Sequence, residues 1–296
     1  MNNNYIEFKK KRELGDILTD TFSFIRINFK NLFLIILKNT APAIILLIIA
    51  LAFMTYVYSD FIGEFSLGIQ NGNDLGALNI TLMVISLVIL LIAGVFFYGT
   101  IFGTILYYIK SYVYNKGEIN VEEIRTGVKE DFWKIIGLSI LSGLISGVAF
   151  MLCVLPAIYV YVPLSLVFAI LVFRNTGTFD TIGESFELVK NEWWITFATL
   201  LVIFIIGIVI SAIFSLPAMF YGIFKGIVVA SEGTFTDPGL MTDWISIALS
   251  VVGDLIRYFI MYLLTAVSSA FIYFNLNERK HHTGTFEQID SLGKTE

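Results

Sequence analysis

The chain has 296 residues, 57% of them hydrophobic and 15% charged, with a mean hydropathy of +0.81. That balance excludes an ordinary soluble domain of this length and predicts an integral membrane protein of the all-α class. A formal charge of −5 supplies no basic footprint for nucleic acid, and the single cysteine, Cys153, in an apolar run, permits no disulfide framework and reads as a small buried hydrophobe.

In chain order, the N-terminal segment carries Glu7, Glu13, Asp16 and Asp20 and lacks the compact apolar core of a cleavable signal peptide. Leu14, Ile17, Leu18, Thr21, Phe22, Ile25 and Phe29 recur at helical spacing, which predicts an amphipathic helix on the membrane surface within a cytoplasmic segment 1–39. Apolar stretches near residues 40–58, 79–108, 134–155, 157–174, 195–222 and 256–275 are each long enough for about 30 Å of hydrocarbon, giving six spans. The fourth contains Pro163, which predicts a kink whose freed backbone groups neighbouring helices cover. The stretch with Gly68, Asn71, Gly72, Asn73, Asp74 and Gly76 reads as an irregular outer loop, as does Gly233 to Gly239 around Pro238. From Asn277 the sequence turns polar and predicts a mobile tail, 277–296, behind a single transmembrane domain, 1–276.

Basic residues set the orientation. Lys9, Lys10, Lys11, Arg12, Arg26, Lys30 and Lys38 precede or open the first span. Lys110, Lys116, Arg125, Lys129 and Lys134 surround the loop after the second, Arg174 and Lys190 follow the fourth, and Arg279, Lys280 and Lys294 follow the sixth. The opposite loops hold Asp60, Glu64, Asp74, Glu232 and Asp237 against Lys225. The positive-inside rule places both termini in the cytoplasm. Trp133, Trp193, Trp194 and Trp244 all fall at predicted membrane boundaries, where indole is at home.

A weak repeat runs through the middle. V-K-E-D-F-W at Val128 to Trp133 recurs as V-K-N-E-W-W at Val189 to Trp194, and L-P-A-I-Y from Leu155 recurs as L-P-A-M-F from Leu216, each about 61 positions on. Asn120 to Glu123 and Thr181 to Glu184 both have the form of a capping box opening a short cytoplasmic helix. The architecture expected is an interfacial helix followed by a transmembrane hairpin, repeated over about 120–174 and 181–235, with each Leu-Pro-Ala marking the far end of a span.

Candidate functional residues are few. Asp254 and Arg257, three apart in an apolar stretch, form a candidate intramembrane pair; alternatively the sixth span starts near Leu255 and leaves both at the outer interface. Gly99 with Gly103 and Gly143 with Gly147 are small-residue helix-packing motifs, the latter beside Ser139, Ser142 and Ser146. Lys129, Trp133, Lys190, Trp193 and Trp194 mark a cytoplasmic boundary that anchors in lipid or receives a partner. His281 and His282, the only histidines, lie on the predicted tail and imply no metal site, and no Walker, G-x-S-x-G or H-E-x-x-H pattern occurs.

From Asn120 to about Phe197 the charged helix, the L-P-A-I-Y motif, L-S-L-x-F at Leu164 to Phe168, and S-F-E-L-V-K-N-E-W-W at Ser185 to Trp194 resemble the membrane domain of some bacterial glycerophosphoryl diester phosphodiesterases. The resemblance implies a helical membrane module of bacterial type in the cytoplasmic membrane. In those enzymes catalysis belongs to an appended barrel with metal-binding carboxylates and histidines, for which this chain leaves no length, so no catalytic residue carries over. Leu155-Pro-Ala157 stands where relatives more usually have Pro-Gly, and Pro163 near where they often carry a basic residue. The function expected is therefore a non-enzymatic scaffold or accessory subunit without cofactor, engaging lipids, membrane proteins or cytoplasmic proteins. A transporter or lipid-handling protein is the alternative, and a membrane-embedded enzyme comes third.

Overall fold

The computed structural model describes the backbone of residues 5–71, 77–231 and 243–292, and among the described residues there is no strand. Ten helices appear there: α1 Leu14–Asn71, α2 Ala77–Tyr114, α3 Val121–Glu130, α4 Phe132–Leu152, α5 Val154–Leu164, α6 Val167–Arg174, α7 Thr178–Val189, α8 Trp193–Ser231, α9 Trp244–His281 and α10 Thr283–Leu292. Among the described residues, six stretches are long and apolar enough to cross a membrane: Leu14–Gly63, Asn79–Tyr114, Phe132–Leu152, Val154–Arg174, Trp193–Val228 and Trp244–His281. At 1.5 Å per residue even the 21-residue helix Phe132–Leu152 reaches about 32 Å, which matches a hydrocarbon core. The fold is that of an all-α, multi-pass membrane protein.

Several expected boundaries move. The predicted surface helix and the first span are one uninterrupted helix, α1, whose 58 residues hold no strong breaker besides Pro42 and three glycines. Its buried side is Ile17, Thr21 and Phe24, at spacings of four and three, whereas Phe22 and Phe29 are exposed. Gly68 and Asn71, expected in an outer loop, are still helical; Gly72 to Gly76, like Gly233 to Gly239, lie outside the described residues. The last apolar helix begins at Trp244, well before residue 256. The polar tail is helical too: α9 continues to His281, His282 adopts the left-handed conformation (φ 53°), and α10 follows.

The two Leu-Pro-Ala motifs have different fates. After α4, Cys153 is extended (φ −176°, ψ 160°), so Pro156 falls in the first turn of α5, where its missing N–H costs nothing. Pro217 sits inside the continuous helix α8 and marks no turn. Cys153 itself is exposed, not buried. Pro163 ends α5 rather than merely bending a span: Ser165 and Leu166 form a turn, with the Leu166 N–H donating to Pro163 O at 3.0 Å, before α6.

By contact density the chain divides into two units. The first comprises residues 1–41, 98–206 and 262–296. At its core α6 is buried on every side over the seven residues Val167 to Phe173, as an all-apolar run should be. Phe8 stacks on Phe271 (centroids 4.1 Å) and meets Phe24 edge-on at 5.3 Å, which fastens the N-terminal segment to α1 and α9. Gly99 and Gly103 bring α2 against α4: an added Cβ would lie 2.9 Å from Ile136 Cδ1 and 2.9 Å from Ile135 Cδ1, respectively. Gly143 and Gly147 do not play that part, because nothing lies within 4 Å of the corresponding Cβ positions. Gly99→Leu should therefore lower the thermal midpoint in detergent clearly, whereas Gly143→Ala should leave it unchanged or raise it, helix propensity favouring alanine by about 0.5–1 kcal/mol. Equal effects would contradict this packing.

The second unit comprises residues 42–97 and 207–261. Ser86 Oγ lies 3.1 Å from Met54 Sδ and 2.8 Å from Met83 O. Before α9 the Asp243 carboxylate accepts the Ser246 N–H at 2.8 Å while Ser246 Oγ accepts the Asp243 N–H at 3.0 Å, a reciprocal cap that fixes the helix start. Asp243 also accepts Tyr221 Oη at 2.6 Å and pairs with Lys225 at 2.9 Å. These bonds hold its carboxyl below the ordinary carboxylate value, the Tyr221 bond contributing most.

Candidate functional site

A polar groove of about 550 Å³ lies in the first unit where α2, α3 and α4 meet, lined on its charged side by Lys110, Glu122, Glu123, Glu130, Asp131 and Lys134. Local sequence explains its rim. Asn120 caps α3, its side chain accepting the N–H groups of Glu122 (3.1 Å) and Glu123 (3.3 Å). The reciprocal half of the expected capping box is absent: Ser111 Oγ takes the Asn120 N–H at 3.0 Å, and Glu123 turns to Ser111 (3.3 Å) and Asn115 (3.1 Å). The second expected box fails altogether, since α7 starts three residues earlier, Thr181 Oγ1 donates back to Gly177 O at 2.7 Å, and Glu184 pairs with Arg174.

Asp131 is the hub of the groove. It separates α3 from α4, is only 5% exposed, pairs with Lys134 at 2.7 Å and accepts a hydrogen bond from the Tyr107 hydroxyl. Burial alone would push its carboxyl up, but bonds from Lys134 and Tyr107 and the charges of Lys134 and Lys110 outweigh that and hold it below its usual value. Lys110 reaches across to Val172 O of α6 at 2.7 Å. The groove's buried charges thus join helix ends, and its remaining carboxylates give it an acidic rim. Among the described residues no three His, Cys, Asp or Glu side chains gather as a metal ion would require.

A second junction forms at the other copy of the V-K motif. Proline has no N–H, so Pro163 leaves the carbonyl of Tyr159, four residues back, without its helical donor. Trp193 Nε1 donates to that carbonyl at 3.2 Å, and its ring stacks on Tyr159 (5.7 Å) and Phe197 (5.2 Å). Glu192, the counterpart of Asp131, faces Arg279 of α9 at 3.4 Å. Trp193→Phe should cost about 1 kcal/mol in the native background, the worth of one hydrogen bond. In a Pro163→Ala background, where the backbone amide restored by the substitution competes for the same carbonyl, the cost should shrink; an unchanged cost in a double-mutant cycle would contradict the coupling.

Arginines missed as structural elements complete this polar region. Arg12 is buried, with Nε on Asp20 (2.8 Å), Nη1 on Phe8 O (2.7 Å), Nη2 on Glu7 O, and its guanidinium 4.7 Å above Phe271. Burial lowers its pKa, against the opposing pull of Asp20. Its own carbonyl accepts Arg279 Nη2 at 2.9 Å. Arg174 joins Glu184 (2.9 Å) to Asn277 (2.9 Å). Glu278 is buried and caps α10, accepting the N–H groups of Gly284 (2.7 Å) and Thr285 (3.1 Å). Counting these side chains as orienting charges hid their partners; the one local signal was Glu278 placed six and seven residues before Gly284 and Thr285.

Of the residues singled out in the sequence, Lys129 and Lys190 are exposed, Trp133 and Trp194 protrude at 73% and 76% exposure, and only Trp193 is clamped. Asp254 and Arg257 do pair, at 2.8 Å. Their side chains are 37% and 42% exposed, and the pair lies ten residues and more inside α9, on its surface. Arg257 also stands 5.3 Å over the Tyr258 ring. Compared with protein-family models, curated proteins and solved structures, the chain matches none.

Proposed function

We propose that this chain is a non-enzymatic scaffold or accessory subunit of a cytoplasmic membrane, with both termini in the cytoplasm, that engages partners or lipids at its cytoplasmic face. One observation carries the reading: the charged elements of the first unit, namely the N-terminal segment, α3, α7 and α10, are tied by ion pairs, side-chain hydrogen bonds and caps to the ends of apolar helices. Lys280 pairs with Glu187 at 2.6 Å in the same manner. Such bonding yields an ordered surface of mixed charge, with Trp133 and Trp194 projecting from it, suited to docking and interfacial anchoring. Six candidate spans, an even number, are compatible with both termini on one side. The repeated V-K motif fits two parallel entry points into the membrane, and the resemblance to a phosphodiesterase membrane domain fits a helical membrane module.

Mild detergent extraction followed by identification of copurifying proteins and lipids tests this reading. Defined partners that are lost on Lys129→Glu or Lys190→Glu are expected, because both lysines are exposed and bear no structural load. Recovery of the chain with neither protein nor bound lipid would contradict it.

A further inference from the structure

The serines of α4 acquire a role that helix packing does not give them. A cavity of about 200 Å³ lies within the first unit, lined by hydroxyl-bearing Tyr98, Ser139, Ser142, Ser146, Tyr161 and Thr265, with no charged side chain in its wall. We propose that it binds the uncharged, hydroxyl-bearing head of a neutral membrane lipid. This goes beyond the docking surface above, in a different place, and rests on the chain being embedded in a bilayer.

Its wall is rigid on one side. Tyr98 packs on Phe102 (4.5 Å) and edge-on to Phe168 (5.4 Å) and Tyr262 (5.2 Å), so the aromatic floor is fixed by α2, α6 and α9. On the other side the hydroxyls are poised to accept: Ser139 and Ser165 donate to the carbonyls of Ile135 (2.8 Å) and Val162 (2.7 Å), leaving their lone pairs for a donor. Ser142 Oγ makes no hydrogen bond within the protein, so turning this lining side chain toward a ligand hydroxyl would break no existing bond.

Size and charge narrow the occupant. The space is below the roughly 300–1,000 Å³ of pockets that enclose a whole small molecule, so it suits a head group. An ionic head would be buried without a counter-charge, which neutral hydroxyls cannot offset. At the mouth Gly143 and Tyr161 are exposed, and Ile140, Leu144 and Ile158 beside them present an exposed apolar surface along which an acyl chain can lie. Because no side chain comes near the Cβ position of Gly143, the approach along α4 is open.

The test reconstitutes the full chain in phosphatidylcholine nanodiscs doped with a diacylglycerol, or with a phosphatidylcholine, carrying the same photoreactive acyl chain, and maps labelled peptides by mass spectrometry. The diacylglycerol should label the α4–α5 region several-fold more strongly than its counterpart. Ser142→Leu, which fills the space, should abolish that preference, and Ser142→Ala, which keeps the shape, should reduce it about five-fold, the value of one net hydrogen bond. Equal labelling by the two probes, or a preference untouched by Ser142→Ala in folded protein, would overturn the proposal. No labelling by either probe would instead remove the membrane assignment, and the proposal with it.

Discussion

Arg12→Ala in the full chain should lower unfolding stability by about 3–5 kcal/mol, the range for removing one partner of a buried ion pair. The guanidinium holds Asp20 of α1 and the carbonyls of Glu7 and Phe8, and covers Phe271 of α9, so its loss unpairs several groups at once. The backbone of Arg12 adds two further ties, its N–H to Asn275 (2.8 Å) and its carbonyl to Arg279 (2.9 Å), and these survive the substitution. Arg12→Lys should recover less than half the loss, because an ammonium cannot reproduce the planar fork. Fluorescence-monitored melting in detergent reads both variants; an Arg12→Ala protein within about 0.5 kcal/mol of the parent, the range of an ordinary surface substitution, would show that the buried arginine is incidental.

The second large effect centres on Asp131. Asp131→Ala leaves the Tyr107 hydroxyl without its acceptor and Lys134 without its partner, at an expected cost of about 2 kcal/mol, less than for Arg12 because Lys134 is half-exposed and can be rehydrated. The same residue gives the groove an acid sensitivity. Its carboxyl in the folded chain lies below the ordinary value of 3.8 that it regains on unfolding, so its stabilisation is complete above the unfolded value and is lost as pH falls through the folded one. Comparing denaturation midpoints between neutral pH and about pH 3, where the unfolded carboxyl becomes protonated, should show a steeper acid loss for the parent than for Asp131→Asn. Parallel pH profiles would mean that Asp131 is not the group responsible.

Helical class and the candidate membrane stretches were legible in the sequence because both follow from the length and composition of apolar runs, which bonding elsewhere in the chain scarcely alters. Boundaries were less legible. Nothing local distinguishes the Leu-Pro-Ala at 155, preceded by an extended Cys153, from that at 216 inside α8, since the difference lies in whether the preceding residue stays helical. The surface helix expected over Leu14 to Phe29 merged with the next span because no strong breaker separates them. The tail misled for another reason: polar composition conceals Glu278, whose carboxylate supplies the cap that starts α10. The serines of α4 were visible as a stripe, but the aromatic floor facing them comes from α2, α6 and α9, and only the folded chain brings these together.

Orientation is the premise of the cytoplasmic docking face, and paired reporters test it most directly. An alkaline phosphatase, active only outside the cytoplasm, and a fluorescent protein, bright only inside it, would each be fused after Glu296 and, separately, inserted between Ser231 and Asp243. The account predicts fluorescence without phosphatase activity at the C-terminal fusion and phosphatase activity without fluorescence at the internal one. The reverse pattern would contradict it.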